Sequence, residues 1–320
     1  MILKEYDIGW GPQWPMKQLE QRIVKNFLQH RYTDDSRSVI INSVWYNGDY
    51  HQQVMAELKE LQPTHIFVVA LLDPPIVQLS WFDELDCEVM GVGYYPGSGY
   101  IDYCALFVDE FYQPVGQEFL LSADAIDTAY MCLNRKPHAH RLRLYQALTD
   151  ANLLDRGFVS MGGNPPMRLL DNDAQGQDIA PNPGRDQYGI NNDIVSLGNL
   201  NNWQRHFLNI VTETIWDCEP SNFVSEKTFK PVLGLRPFLI YAPNGAIECL
   251  KSRGLEPYID DFQDITDADL TQPYNIPVLI AELCKQDTNY WRMKFTNLRA
   301  KLLHNQDQFK RHVSKQKRIL

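Results

Sequence analysis

Apolar positions along this chain come in blocks, and the spacing inside the blocks switches back and forth between strand-like and helix-like. Ser38 to Trp45 is a β-branched run and reads as a strand. Asp49 to Leu61 then sets Val54, Leu58 and Leu61 on one face of a helix. His65 to Leu72 is apolar almost throughout and is bounded by Pro63 and by Asp73-Pro74-Pro75, as a strand covered on both faces would be. Cys87 to Tyr95 and Ala105 to Val108 supply two further strands. A second series opens near residue 128. Ala129 to Leu133 reads as a strand, Ala139 to Leu153 as a helix with Leu142, Tyr145 and Leu148 on one face, and Phe158 to Met161 as a strand.

Between Gly162 and Asn202 the chain turns polar and rich in Asn, Gly and Pro. A stretch of this length without periodicity inside a domain predicts a mobile functional excursion near a cleft. Order returns with the strand-like Phe207 to Val211, a short helix after Ser225, and a strand from Pro237 to Tyr241 that runs into the turn Ala242-Pro243-Asn244-Gly245. From Tyr290 to Ile319, Trp291, Phe295, Leu298, Leu302, Phe309 and Val313 keep near-helical spacing over one long helix. Strand-helix-strand alternation in two series predicts an α/β chain with two doubly wound, Rossmann-like domains. The boundaries fall at 1–126, 127–285 and 286–320, the last being the terminal helix.

Composition narrows the class. The 320 residues are 44% hydrophobic and 22% charged, ordinary for a globular protein with room for two cores. A formal net charge of −10 argues against an extended nucleic-acid surface. Six cysteines, at 87, 104, 132, 218, 249 and 284, form no CxxC pair and read as free thiols of a reducing compartment. The N-terminal residues lack a signal-peptide apolar core, and no run approaches the length of about 20 apolar residues that spans a bilayer. These points together predict a cytoplasmic protein.

The candidate chemistry lies in Ser225-Glu226-Lys227-Thr228-Phe229-Lys230-Pro231. Ser225 is a helix N-cap, and a helix N-terminus offers unpaired N–H groups and a partial positive charge to phosphate. Lys227 adds a full charge, and Glu226 can accept hydrogen bonds from ribose hydroxyls. A lysine in a first turn opposes the helix dipole, so local stability alone does not select it. Pro231 permits a second register, with the helix starting near Lys230. Either way Lys227 stands at or before an N-terminus. Upstream, Glu213 closes a strand, where open α/β sheets bind ligands; its plain alternative is a solvated strand-end acid. Arg135, Arg141 and Arg143 follow another strand end, and arginine forks match phosphate oxygens. Arg141 and Arg143 cannot share a helix face, so the order of candidates is Arg141, Arg135, then Arg205.

The Ser225-Glu226-Lys227 helix start, the preceding Glu213, and the Cys132-Leu133-Asn134-Arg135 opening with its arginines resemble the donor-binding domain of nucleotide-sugar glycosyltransferases of the fucosyltransferase and exostosin-like type. The resemblance covers roughly residues 128 to 262. It implies the GT-B architecture, a C-terminal helix crossing back to the first domain, and inverting transfer of a sugar from a nucleotide diphosphate to a hydroxyl acceptor such as a glycan, lipid-linked saccharide or surface polysaccharide. Golgi enzymes of this kind carry a membrane anchor, so its absence implies a bacterial or viral type.

The acceptor's base is expected to be a carboxylate. Asp73 ends the strongest strand of the first domain, Asp102 follows the Gly97-Ser98-Gly99 loop, and Asp7 precedes the Gly9-Trp10-Gly11-Pro12 turn. Taken singly, each also reads as a turn acid. Asp171-Asn172-Asp173 fits the DxD pattern of transferases that hold Mg²⁺ or Mn²⁺, but Asp267-Ala268-Asp269 repeats it by chance. A donor site without metal or other cofactor is therefore favoured. The basic tail, Lys310 to Arg318, complements a helix C-terminus, with peripheral contact to an anionic membrane as the alternative. Rival readings are a non-catalytic nucleotide- or glycan-binding module, a metal-dependent DxD transferase, and a viral DNA-base glycosyltransferase.

Overall fold

The structure, a computed structural model, describes residues 2–6, 37–42, 48–70, 77–93, 101–112, 115–163, 165–168, 170, 197–214, 216, 224–243 and 245–319. The chain is mixed α/β with parallel-stranded sheets. Its contacts divide it into one unit of Met1–Phe107 with Val313–Leu320 and a second of Val108–His312.

The first unit is built on four parallel strands in the order β1 (Ile2–Tyr6), β2 (Ser38–Asn42), β3 (His65–Ala70) and β4 (Glu88–Gly93). Helix α1 (Gly48–Leu61) lays Val54, Met55 and Leu58 against Val39 and Ile41 of β2 and Ile66, Val68 and Ala70 of β3. The alternate residues Ile40, Phe67 and Val69 are also buried, so both sheet faces are covered and no alternation of polar residues survives in the sequence. At the strand ends β3 and β4 approach closely. A Cβ on Gly93, whose φ is +114°, would lie 1.9 Å from the Ala70 carbonyl oxygen.

Ala105–Val108 belongs not to a strand but to helix α2 (Tyr103–Phe111). Asp102 accepts a hydrogen bond from the Ala105 amide at 3.1 Å and thereby starts the helix. Cys104 through Val108 are all buried, and a short run buried all round has no period to betray a helix.

In the second unit, α3 (Gln117–Leu120) leads into β5 (Thr128–Asn134), α4 (Ala139–Asp150), β6 (Gly157–Gly163) and β7 (Pro166–Arg168). Then come α5 (Leu200–Arg205), β8 (His206–Thr212), α6 (Glu226–Leu233), β9 (Phe238–Tyr241) and α7 (Ala246–Ser252). Helices α8 (Ile276–Lys285) and α9 (Thr288–Ile319) complete the chain. The sheet order is β7-β6-β5-β8-β9, with β7 antiparallel to β6 and the other pairs parallel. The chain passes from β5 to one side and returns to the other, so the order reverses between β5 and β8. All seven residues of β8 are buried, as befits a central strand.

Helix α4 turns inward a face that shares only Leu148 with the expected one: His140, Arg141, Leu144 and Leu148 are buried, while Leu142 and Tyr145 are half-buried. Two polar residues at its start thus point into the sheet's end. Arg236, before β9, is fully buried and acts as a clamp, donating to the carbonyls of Leu120 (2.5 Å), Leu235 (3.0 Å) and Gln204 (2.9 Å), with Phe295 of α9 stacked 4.6 Å away. Burial pushes its pKa down to about 9. Of the polar excursion, residues 171–196 lie outside the described residues, while its ends form β7 and α5.

Candidate functional site

Open parallel sheets bind ligands beyond the carboxyl ends of their strands, where the strand order reverses. In the second unit that place is the crest of β5 and β8. Three parts of the chain meet there: the loop Arg135–His138 with the first turn of α4, the residues Glu213, Thr214 and Trp216 after β8, and the start of α6. Gly162 lets the first of these in, since a Cβ there would sit 1.8 Å from the Arg135 carbonyl oxygen.

The crest is cross-braced by buried polar groups. Thr212 Oγ1 donates to Asn134 Oδ1, joining β8 to β5, and the Asn134 amide donates to Ser160 Oγ of β6 at 3.3 Å. Arg141 donates from Nη2 to the carbonyls of Thr212 (3.2 Å) and Glu213 (3.0 Å), and His140 Nε2 donates to the same Glu213 carbonyl at 2.8 Å. Cys132 receives a hydrogen bond from Asn134 Nδ2, and burial raises its pKa to about 11, so it stays a thiol.

Glu213 is completely buried, and its carboxylate faces α6. Oε1 accepts from the Ser225 amide at 2.9 Å and from Thr228 Oγ1 at 2.5 Å, and Oε2 accepts from Ser225 Oγ at 2.5 Å. Ser225 in turn caps the helix by accepting from the Lys227 amide at 3.3 Å. The helix begins at Glu226, so Pro231 lies inside it. The α6 N-terminus is therefore already occupied from within the chain, by the Glu213 side chain. Lys227 Nζ pairs with Glu226 Oε1 at 2.5 Å and donates to Thr214 Oγ1 at 2.9 Å, with a third of its side chain exposed.

The neighbouring helix start is different. His138 is the N-cap of α4, and its side chain makes no capping hydrogen bond. His138 is exposed, as is Lys136; Arg135 is half-buried. Burial, then the positive fields of Arg141, Lys136 and Lys227, hold the His138 pKa below its usual value. Arg141 feels both Glu213 and Glu226 as well as Arg135. Lys136, Arg141 and Lys227 thus act electrostatically on His138, and Arg135 on Arg141, beside two carboxylates that are both engaged in hydrogen bonds.

Arg135, Arg141, Glu213, Ser225, Glu226 and Lys227 are brought together at this crest. Arg205 is not, because it precedes β8 and so lies at the opposite end of the sheet, where its Nε pairs with Asp127 at 2.9 Å. In the first unit, Asp102 is buried as the cap of α2, and its amide donates to Gln316 Oε1 at 3.0 Å. Asp7, Asp73 and the Asp171–Asp173 pair lie outside the described residues. Asp269 closes a turn, accepting at Oδ1 from the Thr271 amide (3.0 Å) and hydroxyl (2.5 Å), which lowers its pKa. Among the described residues there is no group of three or more His, Cys, Asp or Glu placed to hold a metal ion, and no helix is long and apolar enough to cross a membrane.

Lys136, His138, His140, Thr212 and Thr214 also belong to the crest and are not among the sequence candidates, and Asn134 enters there only as part of the Cys132-Leu133-Asn134-Arg135 opening. The signal was a polar residue ending each apolar strand, since Asn134 follows Met131-Cys132-Leu133 and Thr212 follows Ile210-Val211. No family model, curated protein or solved structure matches the chain.

Proposed function

We propose that the second unit binds the diphosphate of a nucleotide sugar and that the chain is a glycosyltransferase of GT-B type, inverting and independent of metal. One observation carries this reading: a helix start whose N-cap side chain makes no capping hydrogen bond stands at the strand-order reversal of a parallel sheet, in the field of Lys136, Arg141 and Lys227, with Arg135 beside it. An α/β sheet presents phosphorylated ligands at that place. The anion seat is the α4 start with Arg135 and Lys136, and Lys227 reaches it from α6.

In the transfer, a lone pair of the acceptor hydroxyl forms the new bond to the anomeric carbon. The bond from that carbon to the diphosphate oxygen breaks, and the diphosphate leaves with the electron pair. Cations fixed at the crest offset the charge that develops on the leaving group. The acceptor's proton passes to a carboxylate, which we assign to Asp73 from its place after the β3 segment; the carboxylate of Asp102 is engaged as a helix cap.

Thermal shift against inorganic pyrophosphate and a panel of nucleotide sugars tests the reading. A ligand at about 100 times its Kd adds about 2.7 kcal/mol of stability. If neither pyrophosphate nor any nucleotide sugar shifts the transition, the reading fails. Slow hydrolysis of a bound donor separates the enzyme from a binding module, which would shift in the same way without turnover.

A further inference from the structure

Beside the cationic crest stands a cluster of rings drawn from four separate segments. His138 and His140 stack with centroids 6.0 Å apart, and His140 stacks on Trp216 at 5.2 Å. Trp216 meets Tyr241, at the end of β9, at 4.9 Å and Tyr274 edge-on at 5.5 Å, while Tyr241 and Tyr274 stand almost perpendicular at 6.4 Å. The row therefore runs without a break from the cation loop to Tyr274. Its burial is graded: Tyr241 is buried, Trp216 half-buried and Tyr274 56% exposed.

Tyr274 is held out firmly. It sits in the single turn Pro273–Asn275, whose Pro273 is buried. Asn275 Nδ2 donates to the Asp269 carbonyl at 2.9 Å, and the Gln272 amide donates to the same carbonyl at 3.1 Å. An aromatic ring fixed this way, with more than half its surface in water, contributes little to the core. It is preorganised to receive another ring. Burial, then Tyr274, raise the Tyr241 pKa, and the charge of Arg143, exposed on α4, partly offsets them.

We propose that Trp216, Tyr241 and Tyr274 form a stacking site for the base of a nucleoside diphosphate whose phosphates lie at the Arg135–His138 loop. The inference rests on the diphosphate reading of the crest. A base is favoured over a sugar because the row of rings continues directly from the cation loop. Stacking on an aromatic ring accepts any base, since every base has a π-face.

The test is calorimetry on the full chain with inorganic pyrophosphate and with ADP, GDP, CDP and UDP. At least one nucleoside diphosphate should bind about 5- to 100-fold more tightly than pyrophosphate. Tyr274→Ala should abolish that advantage and leave pyrophosphate affinity unchanged, and Tyr274→Phe, which keeps the ring, should restore it. Exposure of Tyr274 keeps both variants folded. If pyrophosphate binds and no nucleoside diphosphate binds more tightly, or if Tyr274→Ala keeps the advantage, the stacking site is overturned while the anion site stands. Equal sensitivity of pyrophosphate and nucleotides to Tyr274→Ala also overturns it. Failure of pyrophosphate and every nucleotide to bind removes both proposals.

Discussion

Glu226 is a buried carboxylate, and burial alone would raise its pKa. The charge and hydrogen bond of Lys227, the charge of Lys230 and the residue's own amide outweigh that and lower it. Stability from this group is therefore full above the ordinary carboxylate value and is lost as pH falls through the lowered one. In Lys227→Ala the two largest effects that oppose burial are gone. The variant should be less stable than the parent at about pH 7, with the gap narrowing only as pH falls below the ordinary carboxylate value of about 4.3, as thermal denaturation at about pH 7 and about pH 3 will show. The same variant should bind pyrophosphate more weakly by about 1.5–3 kcal/mol, the worth of one charge-assisted hydrogen bond; unchanged affinity in calorimetry would remove Lys227 from the site. His206 supplies a second pH effect. Its Nδ1 donates to the Asn202 carbonyl at 2.8 Å, which leaves Nε2 unprotonated toward Asn209 Nδ2. Burial, then Arg236, hold its pKa well below 6.5, so the unfolded chain takes up a proton that the folded one refuses. Stability is thus full above about pH 6.5 and falls as the medium becomes more acidic. His206→Gln should flatten the dependence of Tm on pH just below 6.5. An unchanged slope would assign the effect to His65 and His138, whose pKa values are also lowered.

At the scale of elements, the junction of β8 with α6 is the most revealing. Helix α6 has eight residues and an internal proline, too little to be stable from its own hydrogen bonds. What holds it is packing of Phe229 and Val232 and the Glu213 carboxylate, which reaches it across 12 residues of sequence. Glu213→Ala would leave the Ser225 amide and two buried hydroxyls without their acceptor. The expected cost is about 3 kcal/mol, read as a fall in Tm of roughly 6–12 °C for a unit of this size. A Tm within a degree or so of the parent would mean that the carboxylate is not the cap described. The Ser225 cap and the strand before Glu213 are legible in the sequence because both signals act within a few residues. That Glu213 spends its carboxylate on the helix is not legible, because nothing local to either segment records the other. Helix α2 shows the complementary case: its apolar run is as compatible with a strand, and the Asp102 cap decides it.

On the scale of the whole molecule, each unit carries its own parallel sheet, and catalysis as proposed needs a proton acceptor besides the donor site. Asp73→Asn keeps the side chain's shape and removes the base, so turnover should fall by roughly 10²–10⁴-fold with donor affinity unchanged. Near-normal turnover would pass the role to Asp7 and undo the assignment. The sequence by itself determined the α/β class, most of the described strands and helices, the long terminal helix and the cap at Ser225, because hydrophobic period and capping are read over a few neighbouring residues. Only the tertiary structure decided that Arg135, Arg141 and Lys227 stand at one end of the sheet while Arg205 lies at the other, and that Trp216, Tyr241 and Tyr274 form one cluster. Those juxtapositions follow from the strand order β7-β6-β5-β8-β9 and its register. They are set by hydrogen bonds and packing between segments far apart in the chain, which no local pattern encodes.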